Sequence, residues 1–412
     1  MAVASLPVSA EERIQSLDVL RGVAVLGILV MNIQAYSMIP AAYMNPTALG
    51  PLHGADRWVW LAGHVLADRK FISIFSMLFG AGIVAFATRA EARGDSPVRL
   101  HYRRMAWLLL FGLAHAYLLW HGDILTTYAV CGMLLYPLRR LPARRLLLLG
   151  LGAVALCAVI QVLFDRAVQH WPPEHVARLE RMIWLPPEAA RERLASIYRG
   201  DWLTQMRARV PMSLSIQTVH FLMYALWRVC GLMLIGMALY KWGVLSALRS
   251  ARFYRRAALA GLIVGLPVIL YGVMRDAAGG WAFRRSFFLG RQFNEWGSLF
   301  VALAYVGAVM FACVAGTAAW LRSRLAAVGR TAFSNYIAQT LICTTIFYGH
   351  GLGLFGRVSR SGQLAIVAAI WTLQLVVSAS WLERFRFGPL EWLWRSLTYG
   401  RVQPFRRETA PS

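Results

Sequence analysis

Lysine is nearly missing from this chain of 412 residues: Lys70 and Lys241 are the only two, while arginine carries the formal net charge to +24. Aspartate and glutamate together number only 19. The five cysteines, Cys131, Cys157, Cys230, Cys313 and Cys343, fall within apolar runs and form no CxxC pair, which leaves no disulfide framework and no cysteine zinc site. HxxxH and HExxH spacings are absent too, so nothing points to a resident metal or other bound cofactor. Above all, the chain lacks polar surface. Only 15% of residues are charged against 58% hydrophobic, too few to coat a soluble globule of this length. No basic-aromatic binding module occurs, and the arginines cluster between apolar runs. The positive charge therefore reads as membrane topology, with no nucleic-acid partner.

What the chain does have is a series of apolar runs long enough to cross a bilayer. They fall at 17–37, 58–87, 105–120, 124–138, 146–164, 216–240, 257–274, 296–320, 331–348 and 363–382. This pattern predicts an all-α, polytopic bundle of about ten transmembrane helices. Arginine clusters flank alternate ends, for example Arg139 and Arg140, Arg255 and Arg256, and Arg384 and Arg386, which places both termini in the cytoplasm. Residues 1–16 form a polar tail with Glu11, Glu12 and Arg13. The tail lacks the basic start of a cleaved signal, so 17–37 reads as a retained span. The chain then divides into a membrane half at 17–164, an outer cap at 165–215, a second membrane half at 216–383 and a cytoplasmic amphipathic tail at 384–412. The cap carries Pro172, Pro173, Pro186 and Pro187 and two amphipathic helices, around 176–183 and 189–198.

The 103–140 stretch organises the first half as a helical hairpin whose turn is His121-Gly122-Asp123. Arginines at both outer ends put that turn on the far face. His115 falls about one helical turn before it. A histidine inside a membrane helix is costly unless it faces protein or water, which makes it a functional candidate. Asp123 begins the returning helix and is expected within hydrogen-bond reach of His115, with the imidazole facing a polar cavity. His53, His64, His121 and His350 also fall at the outer ends. At the inner end Asp18 and Arg21, spaced i and i+3, can pair along one face, with Gly22 beside them allowing close helix packing. Asn32, Asn335 and Gln339 are polar residues within spans, suited to bonding between helices or to lining a cavity together with His121.

Five segments carry a family resemblance: LDVLRGVAVLGILVMN at 17–32, FISIFSMLFGAGI at 71–83, RRMAWLLLFGLAHAYLLWHGDIL at 103–125, GRTAFSNYIAQT at 329–340 and GPLEWLWRSLTYG at 388–400. Together they resemble the YeiB family of multipass bacterial inner-membrane proteins, which carry a domain of unknown function (DUF418). The first segment is also distantly similar to membrane acyltransferases of the heparan-glucosaminide acetyltransferase type. There an Asp-x-x-Arg-Gly start precedes an apolar helix ending in Asn, and the catalytic histidine follows in the next outer loop, whose nearest match here is His53.

That resemblance implies an acyl group passing from a cytoplasmic donor of the acyl-coenzyme A type to a glycan or lipid acceptor outside. Arg21, Arg103 and Arg104, with Asp18, stand where an anionic donor would bind. His115 or His53 would serve as base, with Asp123 orienting the ring. The competing class is a proton-coupled transporter or exporter of a small molecule, which polar groups within spans suit equally.

Overall fold

Apolar runs of more than twenty residues have nowhere to satisfy their backbone except in helices, and every long run here is helical. The structure is a computed structural model that describes residues 15–407. The tail residues Glu11, Glu12 and Arg13 lie outside the described residues, among which no strand forms.

Seven helices are each long and apolar enough to cross a membrane: α1 (Gln15–Ser37), α2 (Gly54–Ala92), α5 (Ala143–Val168), α8 (Trp202–Lys241), α9 (Ala251–Ala278), α10 (Arg285–Val314) and α13 (Arg360–Arg384). Between them lie α3 (Pro97–Ala114), α4 (Leu125–Leu135), the cap helices α6 (Pro173–Ile183) and α7 (Glu188–Arg199), and α11 (Ala319–Arg330) and α12 (Ala332–Phe347). The last helix is α14 (Pro389–Tyr399). Three of the expected spans, at 105–120, 124–138 and 331–348, are therefore helical but shorter or more polar than a spanning helix. The 11 residues of α4 continue as a five-residue 3₁₀ stretch, Tyr136–Arg140, and together reach about 26 Å, short of a hydrocarbon core of about 30 Å. Such a helix stays within a membrane by packing against longer ones.

The helix expected to begin at 216 instead runs unbroken from Trp202. The expected cap therefore narrows to the segment between α5 and α8. It straps both halves: Asn45 Nδ2 donates to the Trp184 carbonyl at 3.1 Å, and the Gly349 amide to the Tyr198 carbonyl at 2.9 Å.

Burial sorts the long helices. In α1, 78% of the apolar stretch is buried, against 22% in α5, α9 and α13, so α1 is central and those three present leucine, isoleucine and valine outward. Close backbone approach fixes the centre. A Cβ on Gly22 would lie 2.0 Å from the Leu325 carbonyl oxygen, and one on Gly329 would lie 1.8 Å from that of Asp18, so α1 and α11 cross at two glycines. The α2–α8 contact is built the same way around Gly80 and Gly236.

Candidate active site

The hairpin turn is shaped by a change of helix type. At His115 the α3 helix widens into a π-turn, His115–Leu119, closed by the Trp120 amide donating to the His115 carbonyl at 2.9 Å. Such bulges recur at functional sites because they rotate one side chain out of the helical register. The carbonyls they release are capped from α8: Ser213 Oγ donates to Ala116 O at 2.9 Å and Arg209 to Leu118 O.

Asp123 performs two tasks. Its Oδ2 accepts the Thr126 amide at 2.7 Å, capping the start of α4, and its Oδ1 accepts His115 Nδ1 at 2.8 Å. Both side chains are 1% exposed. With Nδ1–H committed to the carboxylate, Nε2 is left as the acceptor, and Thr340 Oγ1 of α12 stands 2.9 Å from it. Thr340 in turn bonds to Tyr36 Oη of α1 at 2.6 Å. A chain of four side chains, Asp123–His115–Thr340–Tyr36, thus joins the hairpin, α12 and α1. The ring of Tyr336 lies 5.2 Å from that of His115, and Trp120 lies 6.3 Å away.

His115 does not line the large cavity of the bundle, and the rings of Tyr336 and Trp120 flank its imidazole. The cavity lies on the other side of Tyr336, toward the end of the bundle that carries Arg21. It has a volume of about 260 Å³ and reaches Tyr336 and Ile124. Arg21, Arg89, Arg104, Arg330 and Arg395 line it, against the two carboxylates of Asp18 and Glu391. Asp18 is held by Arg21 at 2.7 Å. Glu391 is held by the start of α12, accepting the Phe333 amide at 2.7 Å and Ser334 Oγ at 2.5 Å. Phe75, Phe79 and Leu108 form an apolar wall deeper in. Arg104 stacks over Trp394 of α14 at 4.4 Å, and Trp394 Nε1 donates to the Arg104 carbonyl at 2.9 Å. The final amphipathic helix is therefore a docked wall of this cavity. Arg103 stands outside the lining, packed against Gly400.

A family model described as a protein of unknown function (DUF418) matches residues 239–401, which include Arg330, Tyr336, Thr340 and Glu391. The chain is 33% identical to the uncharacterized protein YeiB of Escherichia coli, over 97% of this chain and 100% of that protein. It is 32% identical to the uncharacterized protein YxaH of Bacillus subtilis, over 98% of each chain. The chain belongs to the YeiB family. It is also 30% identical to an uncharacterized 39.9 kDa protein of Bacillus acidopullulyticus, over 97% of each. These relatives extend through the hairpin that the DUF418 match leaves out.

The other sequence candidates of this YeiB-family chain lie elsewhere. His53 is exposed at the start of α2, away from the His115 chain of bonds. Asn32 is half-buried on α1. Asn335 and Gln339 do not line the cavity. Asn335 Nδ2 donates to Ser378 Oγ at 3.0 Å and Gln339 Nε2 to Gln374 Oε1 at 2.9 Å, tying α12 to α13. His121 is buried in the link between the hairpin helices, near Tyr198. Burial, with Arg209 nearby, pushes its pKa down to about 4.

Sequence reasoning missed a second polar network. Glu295 pairs with Arg69 and Arg228 and accepts from Tyr224 Oη at 2.9 Å. Glu295 stands beside the Trp296 start assigned to its span, so it read as a flank.

Proposed function

We propose that the protein transfers an acyl group from an anionic thioester donor of the acyl-coenzyme A type to a hydroxyl or amine on a glycan or lipid. The observation that carries this reading is a single line of contacts. A guanidinium-rich cavity with an apolar wall ends at Tyr336, and Tyr336 touches a histidine whose tautomer is fixed by a buried carboxylate. Five arginines against two committed carboxylates favour the phosphates of such a donor. Phe75, Phe79 and Leu108 suit the uncharged arm that carries the thioester. For the chemistry, Tyr336 must swing aside.

His115 Nε2 then takes the proton of the acceptor hydroxyl as its oxygen attacks the thioester carbonyl carbon. The carbon–sulfur bond breaks, and the thiolate leaves and receives that proton from the imidazolium. Asp123 stays ionised, holding Nδ1–H and stabilising the charged ring between the two steps. Thr340, which occupies Nε2 at rest, must turn its hydroxyl aside, toward Tyr36, to free that nitrogen for the acceptor. The lipid bilayer is the medium of the reaction, and the Arg21 end faces the cytoplasm, the source of the donor.

Thiol release from acetyl-coenzyme A by the purified protein in proteoliposomes tests the reading. His115→Gln should abolish release and Asp123→Asn should lower kcat by about 10²–10⁴-fold, both with donor affinity kept. Arg104→Gln should instead raise the donor KM. Binding of the donor that ignores Arg21 and Arg104, or turnover that survives His115→Gln, sinks the proposal. A second reading, proton-coupled transport, draws on α2, whose helix breaks at Asp68–Arg69 beside the Glu295 network. Acidification of vesicles on substrate uptake, without thiol release, would favour it.

A further inference from the structure

Where α2, α8, α9 and α10 meet, beneath the cap, there is more positive charge than the carboxylates present can balance. Glu295 is shared by Arg69 and Arg228. Asp276 is held by Arg275 at 2.9 Å. Asp68 accepts from Asn294 Nδ2 at 2.7 Å and lies 3.4 Å from His64 Nδ1. Two cations are left. Lys70, wholly buried, donates only to neutral oxygens, the His64 carbonyl at 2.8 Å and Asn294 Oδ1 at 2.7 Å. Arg291 has a ring contact with Phe287 at 5.3 Å and no carboxylate partner among the described residues. Five basic groups therefore face three carboxylates, each already committed. Uncompensated charge inside a membrane bundle is strongly unfavourable and is ordinarily met by a counter-ion.

There is room for one. A cavity of about 60 Å³, lined by His64, Arg69, Arg291, Asn294 and the rings of Trp60 and Trp281, opens at this point. It shares no residue with the cavity at the Arg21 end. Trp184 of the cap closes it, donating through Nε1 to the Trp281 carbonyl at 2.8 Å. Trp60 and Trp281 meet edge to face at 5.2 Å. We infer that this cavity binds one small oxyanion, a phosphate or carboxylate group, paired with the Arg291 guanidinium within the field of Arg69 and Lys70. The space admits a single such group and not a nucleotide. Asp68 and Asp276 also border it: Asp276 is paired with Arg275, while Asp68, bonded to the Asn294 amide, keeps its charge and is outnumbered by Arg69, Lys70 and Arg291. The site is independent of the acyl-transfer reading. It would take its ligand from the capped side, either as a free anion or as the headgroup of an anionic lipid.

The full-length protein in phosphatidylcholine nanodiscs, with and without phosphatidylglycerol, decides this. Inorganic phosphate is titrated while tryptophan fluorescence and the melting midpoint are followed. Phosphate, phosphatidylglycerol or both should raise the midpoint and change the fluorescence, and Arg291→Gln should weaken the response by about tenfold or more. A response to phosphate identifies a free anion as the ligand, and one to phosphatidylglycerol alone identifies a lipid headgroup. An absent response, or one unchanged in Arg291→Gln, overturns the inference. So does a response lost in Arg21→Gln instead, because it then belongs to the other cavity. Should Arg291→Gln not fold, Arg291→Lys replaces it: a weakened dissociation constant supports the site, and an unchanged one rejects it.

Discussion

His115 and His121 occupy one turn and are both buried, yet only His115 has a carboxylate. His121 has aromatic neighbours and a distant Arg209, and burial pushes its pKa down to about 4. In the folded protein it is neutral at pH 7, whereas in the unfolded chain it titrates near 6.5. The unfolded state therefore binds the extra proton as pH falls. The stabilising contribution is fully present above about pH 6.5 and is lost progressively toward pH 4, worth about 3 kcal/mol in total. Between pH 7.5 and 4 the denaturation midpoint of wild type should fall more steeply than that of His121→Gln. Parallel curves would mean that His121 is not held neutral. The His115–Asp123 contact was legible in the sequence because both ends lie within one short hairpin. Thr340 was not, since it reaches the imidazole from a helix 225 residues further along the chain, and Tyr36 joins only through Thr340, 304 residues away.

At the scale of elements, hydropathy located every long helix but could not measure the short ones. A helix enclosed by other helices, such as α4, needs to be no longer than its partners require, and its apolar composition mimics that of a true span. The polar break in α2 was hidden for a related reason. Asp68, Arg69 and Lys70 find their partners on α8 and α10, and nothing local in the sequence announces them.

Glycine spacing is the clearer signal for how these helices meet. A Cβ on Gly80 would sit 2.0 Å from the Met233 carbonyl oxygen, and one on Gly236 would sit 1.9 Å from that of Met77, so α2 and α8 touch backbone to backbone. Gly82, on the same helix, has nothing within 4 Å of such a Cβ. Gly80→Ala should therefore destabilise by about 1–3 kcal/mol through forced separation of the helices. Gly82→Ala should be neutral, or stabilising by about 0.5–1 kcal/mol through helix propensity. Detergent-solubilised melting curves of the two variants test the contact, and equal behaviour would refute it.

For the whole molecule, the two cavities lie at opposite ends of one bundle, and the proposed chemistry depends on which end faces the cytoplasm. The sequence supports one orientation, because the arginines of the short links gather at the Arg21 end: Arg139 and Arg140 before α5, Arg249 before α9, and Arg384 and Arg386 after α13. The folded chain brings these links to one face. The cap between α5 and α8 is also rich in arginine, but long loops escape the charge rule. The proposed acyl-coenzyme A donor is cytoplasmic, so the acyl-transfer reading requires the Arg21 cavity to open on that side. Membrane-impermeant maleimide on intact cells checks this with two exposed positions, Glu174 in the cap and Leu248 in the link before α9, which is 78% exposed. The background is Cys313→Ser, since the other four cysteines are buried. Glu174→Cys should label in intact cells, and Leu248→Cys only after permeabilisation. The reverse pattern would turn the guanidinium cavity to the outside, where no thioester donor can reach it, and would end the acyl-transfer reading whatever His115 and Asp123 do.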